Sequence, residues 1–116
     1  MKSALKGLHS TDVELASGVS VDERGSVLVQ LMVGPANGPG EESFDVVVCN
    51  AGWLDQVVRE RGSIFGRHYL FVDRIERGAV ERAVTDYLSA LEAPSWQELA
   101  QQIGRVARWE FEDYRE

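Results

Sequence analysis

The chain has 116 residues, 44% of them hydrophobic and 27% charged, and carries 12 lysines and arginines against 19 aspartates and glutamates. That length gives room for one domain spanning residues 1–116 with one sizeable core, and the composition is that of a folded protein, not a disordered one. The formal charge of −7 excludes the basic face that nucleic-acid binding requires and suits a basic partner instead.

In chain order, Ala4 to His9 reads as a short opening strand, followed by a polar connector rich in Ser, Asp and Gly through Gly25. Val27 to Val33 is apolar and β-branched apart from Gln30 and stops at Gly34-Pro35, which predicts a central strand. Phe44 to Cys49 is its expected antiparallel neighbour, joined through the glycine- and proline-rich loop from Gly34 to Gly40. Asn50 has the chemistry of a helix cap for Ala51 to Glu60, where Trp53, Leu54, Val57 and Val58 fall on one side, and Gly62 ends that helix. His68 to Val72 is a third apolar run of strand length. From Glu76 to Leu91, a stripe of Val80, Ala83, Val84, Tyr87, Leu88 and Leu91 predicts a second helix. Pro94 separates it from a third, in which Ser95 and Glu98 have the spacing of a capping box and Trp96, Leu99, Ala100 and Ile103 supply the buried face. After Gly104, the alternation of Ala107, Trp109 and Phe111 with Arg108, Glu110 and Glu112 favours an extended edge strand over continued helix. Strands early and helices late predict an α+β domain, a mainly antiparallel sheet of four or five strands with two or three helices packed on one face.

Catalytic and metal-binding patterns are mostly missing. The loop from Gly34 to Gly40 lacks the Lys-Ser/Thr ending of a phosphate cradle and opens into a strand. His9, Cys49 and His68 lack metal-ligand spacing, so neither a metal nor a cofactor is expected. Cys49 with His68 as its base is a conceivable nucleophile, but a lone cysteine at a strand end reads better as a small core residue. It also rules out an internal disulfide and, with no secretory or membrane-spanning stretch, suits a cytoplasmic protein. Glu41 and Glu42 read as a solvated charge pair on the loop, and Asp73-Arg74 as an ion pair closing a strand. An enzyme is therefore not expected. The alternatives to partner binding are a small-molecule site around His68, Cys49 and Asp73, or a structural adaptor that dimerises through an edge strand.

The end of the chain is the most informative stretch. Ser95 to Ala100 and Gly104 to Tyr114 hold two of the three tryptophans, and aromatics alternating with carboxylates suit docking. Trp109 and Phe111 suit the protein's own core, while Glu110, Glu112 and Asp113 should form an acidic, aromatic-edged surface. Arg105 and Arg108 stand close enough in sequence to neutralise part of it.

Taken together, Gly40-Glu41-Glu42-Ser43-Phe44, Val48-Cys49, Trp53-Leu54, Gly66-Arg67-His68-Tyr69, Ser95-Trp96 and Trp109-Glu110-Phe111-Glu112-Asp113-Tyr114 resemble the immunity protein 8 family of bacterial polymorphic toxin systems. The likeness runs along nearly the whole chain and is most specific at its end. The resemblance implies a small cytoplasmic protein that binds and neutralises a cognate toxin domain, for which a basic nuclease would be a fitting target. It marks no contact residues. The expected contacts come from the charge pattern: Glu110, Glu112, Asp113 and Tyr114, with Glu41 and Glu42 as a second candidate surface. No nucleic acid and no membrane is expected as partner, and the chain is either a monomer or a homodimer.

Overall fold

A computed structural model describes residues 1–10 and 25–112. The chain runs β1 (Ser3–Ser10), β2 (Ser26–Pro35), β3 (Glu42–Cys49), α1 (Ala51–Arg61), β4 (Tyr69–Phe71), α2 (Arg77–Ser89), α3 (Trp96–Ile103) and β5 (Arg108–Trp109). This is an α+β fold, with a five-stranded, mostly antiparallel sheet and three helices among the described residues. The element order is the expected one. The polar connector expected before Gly25 falls largely on residues 11–24, outside the described residues.

The period of two along β2 decides which face of the sheet is buried. Val27, Val29, Leu31 and Val33 are buried, whereas Leu28 and Gln30 between them are exposed. The antiparallel register sets Val27 opposite Val48, Val29 opposite Val46 and Leu31 opposite Phe44, so the buried side chains of both strands lie on one face. Two helices cover it. Val80, Val84 and Leu88 of α2, with Leu99, Ala100 and Ile103 of α3, close one continuous core with these strand residues. β1 pairs with β2 on the other side, with one register shift between Leu5 and Gly7. Lys6, at that irregularity, donates from Nζ to the carbonyl oxygens of Gly38 (2.6 Å) and Gly40 (2.9 Å) and ties the β2–β3 turn to β1.

The helix boundaries follow local chemistry. Asn50 Oδ1 accepts the Trp53 N–H at 3.0 Å, and Gly62, at φ 83°, closes α1 by donating to the Val58 carbonyl oxygen at 2.8 Å. Ser95 Oγ accepts the Glu98 N–H at 3.2 Å and donates to the Glu98 carboxylate at 3.2 Å. The apolar side of α1 is buried only at Val57. Val57 and the fully buried Cys49 stand apart from the main core. Trp53 packs on Tyr69, with ring centroids 5.7 Å apart, and Tyr69 stacks with Phe71 at 6.2 Å. Tyr69 and Phe71 flank Leu70, which packs on the main core, so these aromatics form a second cluster on the opposite face.

One edge of β3 is shared by two strands. β4 runs parallel to Val47–Cys49, a pairing that needs the α1 crossover, and β5 runs antiparallel to Phe44 and Asp45. The extended segment expected after Gly104 is thus reduced to two paired residues, Arg108 and Trp109. They bring the last part of the chain against the beginning of β3.

Candidate functional site

β5 brings Glu110, from one candidate surface expected from sequence, against the start of β3, where Glu41 and Glu42 of the other lie. Opposite Phe44, Trp109 turns its ring onto the core, stacking with Phe44 at 6.4 Å, while Trp96 meets Phe44 edge-on at 6.4 Å. Phe44 is fully buried beneath them. The next residue, Glu110, extends the pairing: its N–H donates to the Ser43 carbonyl oxygen at 3.0 Å, and its Oε1 accepts the Ser43 N–H at 2.8 Å. Glu110 therefore shares one end of the sheet with Glu41 and Glu42.

Glu42 departs from expectation. It is half-buried, opens β3 and accepts the indole N–H of both Trp96 and Trp109 (3.3 Å for the latter) on a single carboxylate oxygen. It is not the solvated loop charge that its neighbour Glu41 is, because two indole donors need an acceptor where their rings dock. Replacing Glu42 with leucine should cost the free chain about 2–3 kcal/mol, since hydrogen bonds to a charged group contribute about 1.5–3 kcal/mol and both indoles lose theirs. Glu42→Gln keeps one acceptor oxygen and should lose less than half as much. Urea unfolding followed by tryptophan fluorescence measures both.

The remaining carboxylates differ in their surroundings. Glu110 and Glu41 are exposed. Glu112 accepts from Arg67 at 2.9 Å and lies 3.7 Å from His68 Nε2. Among the described residues, Arg67 is the arginine that pairs with Glu112, where sequence proximity suggests Arg105 and Arg108. Asp113 and Tyr114 lie outside the described residues.

Beside this acidic edge is an open cleft of about 590 Å³. Gln97, Gln101 and Arg105, four residues apart along α3 and its extension, line one side; Trp109, Phe111, Glu112 and Arg67 line the other. The Trp109 and Phe111 rings meet edge-to-face at 5.6 Å. His68, held at φ 68°, sets its Nε2 2.9 Å from the Gly104 carbonyl oxygen and 3.1 Å from Arg67 Nε. The ring tautomer decides which of these two it bonds. The sequence marks neither the cleft nor Arg67 as a site, although Gln97, Gln101 and Arg105 at spacing four form a common polar stripe on the helix.

The residues suggested for a small-molecule site do not converge. Cys49 is fully buried, and burial pushes its thiol up to about 11, the reverse of what a nucleophile needs. His68 is turned to Gly104, and Asp73 is exposed while its neighbour Arg74 pairs with Glu76 at 3.5 Å. The expected Asp73-Arg74 closure is thus an Arg74–Glu76 pair. Among the described residues, no three of His, Cys, Asp or Glu are grouped to hold a metal ion, and no helix is long and apolar enough to cross a membrane.

No curated protein and no solved structure shows a significant match to the chain. Residues 3–114 match the family described as Immunity protein 8. The match takes in the hairpin carboxylates, the two docked tryptophans and the terminal acids, and with it the chain belongs to the immunity protein 8 family.

Proposed function

We propose that this chain is a single-domain, cytoplasmic immunity protein that binds a cognate toxin domain in stoichiometric complex and neutralises it without catalysis. The observation that carries the reading beyond family membership is the clamp of Glu110 on Ser43. It gathers Glu41, Glu42 and Glu110 at one end of the sheet, beside the paired indoles of Trp96 and Trp109. A pre-ordered acidic edge pays little ordering entropy on binding and steers a basic surface toward itself. Asp113 and Tyr114, which follow directly in sequence, belong to the same proposed contact. A basic nuclease is the partner this charge fits best; nucleic acid and membrane are not partners.

The test is co-expression with the toxin domain encoded immediately upstream of the gene, scored by survival and by co-purification of a complex of defined stoichiometry. Size-exclusion chromatography of the chain alone at several concentrations separates monomer from homodimer. Reversing the two exposed carboxylates, Glu41→Arg with Glu110→Arg, should weaken the complex by about ten- to a hundredfold, mostly through a slower association rate and a flatter salt dependence. Surface-exchange kinetics at two ionic strengths would show it. An unchanged association rate would remove these two residues from the contact.

A further inference from the structure

We propose that the cleft between α3 and the Trp109–Phe111 pair is an anion-accepting socket that receives an acidic side chain from the toxin. This inference rests on the immunity reading and adds what that surface takes in. In a chain of net charge −7, this cleft runs against the overall sign: its lining includes two arginines, Arg67 and Arg105, and one acid, Glu112. That carboxylate is already engaged by Arg67. Among the described residues, the Arg105 guanidinium and the side-chain amides of Gln97 and Gln101 have no hydrogen-bond or ion-pair partner. Arg105 is a cation with donors only, and each glutamine amide adds two N–H donors beside its carbonyl, so an acceptor bearing negative charge complements this wall.

The opposite wall sets a second requirement. Trp109 contributes an aromatic ring to the lining, so the group that fits carries its anion on an apolar stem, as a carboxylate side chain does. A volume of about 590 Å³ admits a side chain together with its flanking backbone. Trp109 links this socket to the acidic edge, because its indole N–H bonds Glu42 while its ring lines the cleft. A partner matched to both presents cations around one protruding acid. Alternating signs of this kind fix register and reject partners of uniform charge.

Two measurements test the socket. In the first, the isotope-labelled chain alone is titrated with N-acetyl-L-glutamate and followed by NMR. Shift changes should be confined to Gly104, Arg105 and the Trp109 indole, and should vanish in Arg105→Glu. In the second, the affinity for the upstream-encoded toxin domain is compared among the unmodified chain, Arg105→Glu, Gln101→Glu and Arg105→Lys. Each acidic variant should bind about tenfold more weakly or worse, and the lysine variant should stay within about threefold. Shifts that are absent, or that persist in Arg105→Glu, overturn the socket. Localised shifts with unchanged toxin affinity in both acidic variants overturn the toxin as its occupant. Failure of the unmodified chain to bind an active toxin, with the glutamate probe still seated, brings down the immunity reading itself and leaves the anion site standing.

Discussion

Phe44→Ala is expected to lower the stability of the free chain by about 3–5 kcal/mol, the range for a large aromatic removed from a closed core. Phe44 is fully buried and sits where three elements meet: it pairs with Leu31 of β2, stacks beneath Trp109 of β5 and meets the edge of Trp96 of α3. Truncation opens a cavity that none of these can fill, because the tryptophans are fixed by Glu42 and the strands by their ladder. Small domains have about 5–15 kcal/mol in total, so the variant should stand close to its unfolding threshold at 37 °C. Urea unfolding should show a lower midpoint with an unchanged slope, and tryptophan emission should shift to the red before global unfolding. A loss below about 1 kcal/mol would mean that the aromatic base is not a cooperative unit with the sheet.

Gly34→Ala should cost about 3 kcal/mol, at the upper end of what overpacking does, although Gly34 lies in a regular strand. The reason is space. A Cβ at this position would stand 2.0 Å from the Gly40 carbonyl oxygen and 2.9 Å from its carbon, both backbone atoms. Relief requires opening the end of the hairpin, where Val33 pairs with Glu42, and so displaces the carboxylate that holds both indoles. Stability and toxin affinity should therefore fall together. Hydrogen exchange would separate this from a local effect: amides from Val33 to Phe44 should lose protection ahead of those in α2. Retained protection in the hairpin would show that the turn accommodates the methyl group by another route.

Local chemistry made most of the fold legible. The cap at Asn50, the box at Ser95 and Glu98, and the stop at Gly62 are each settled by residues within four positions, and the structure has all three. The period-two pattern of β2 likewise fixed its buried face. Pairings across long sequence distances were less legible. Nothing in His68 to Val72 states that β4 lies parallel to β3, since direction depends on the α1 crossover. Two glycines show the same limit: Gly62 is written by its place after a helix, whereas the need for glycine at Gly34 arises from Gly40 folding back against it. In the candidate site, the carboxylates were visible as charges, but their roles were not. Glu41 and Glu42 are adjacent and identical in type, and only the docking of tryptophans 54 and 67 residues away distinguishes them. The cleft was hidden for the same reason, because Arg67 meets Glu112 across 45 residues.

The clamp of Glu110 on Ser43 spans 67 residues of chain, and on the proposed immunity function this makes toxin recognition a property of the folded state alone. No peptide cut from the sequence carries the acidic edge, and the unfolded chain scatters its carboxylates. Binding energy is then linked to folding energy: toxin at a thousandfold excess over its dissociation constant should raise the apparent stability of the chain by about 4 kcal/mol. A cell making both proteins would so conceal core defects of the size expected for Phe44→Ala, and would lose protection abruptly once the defect exceeded what the complex restores.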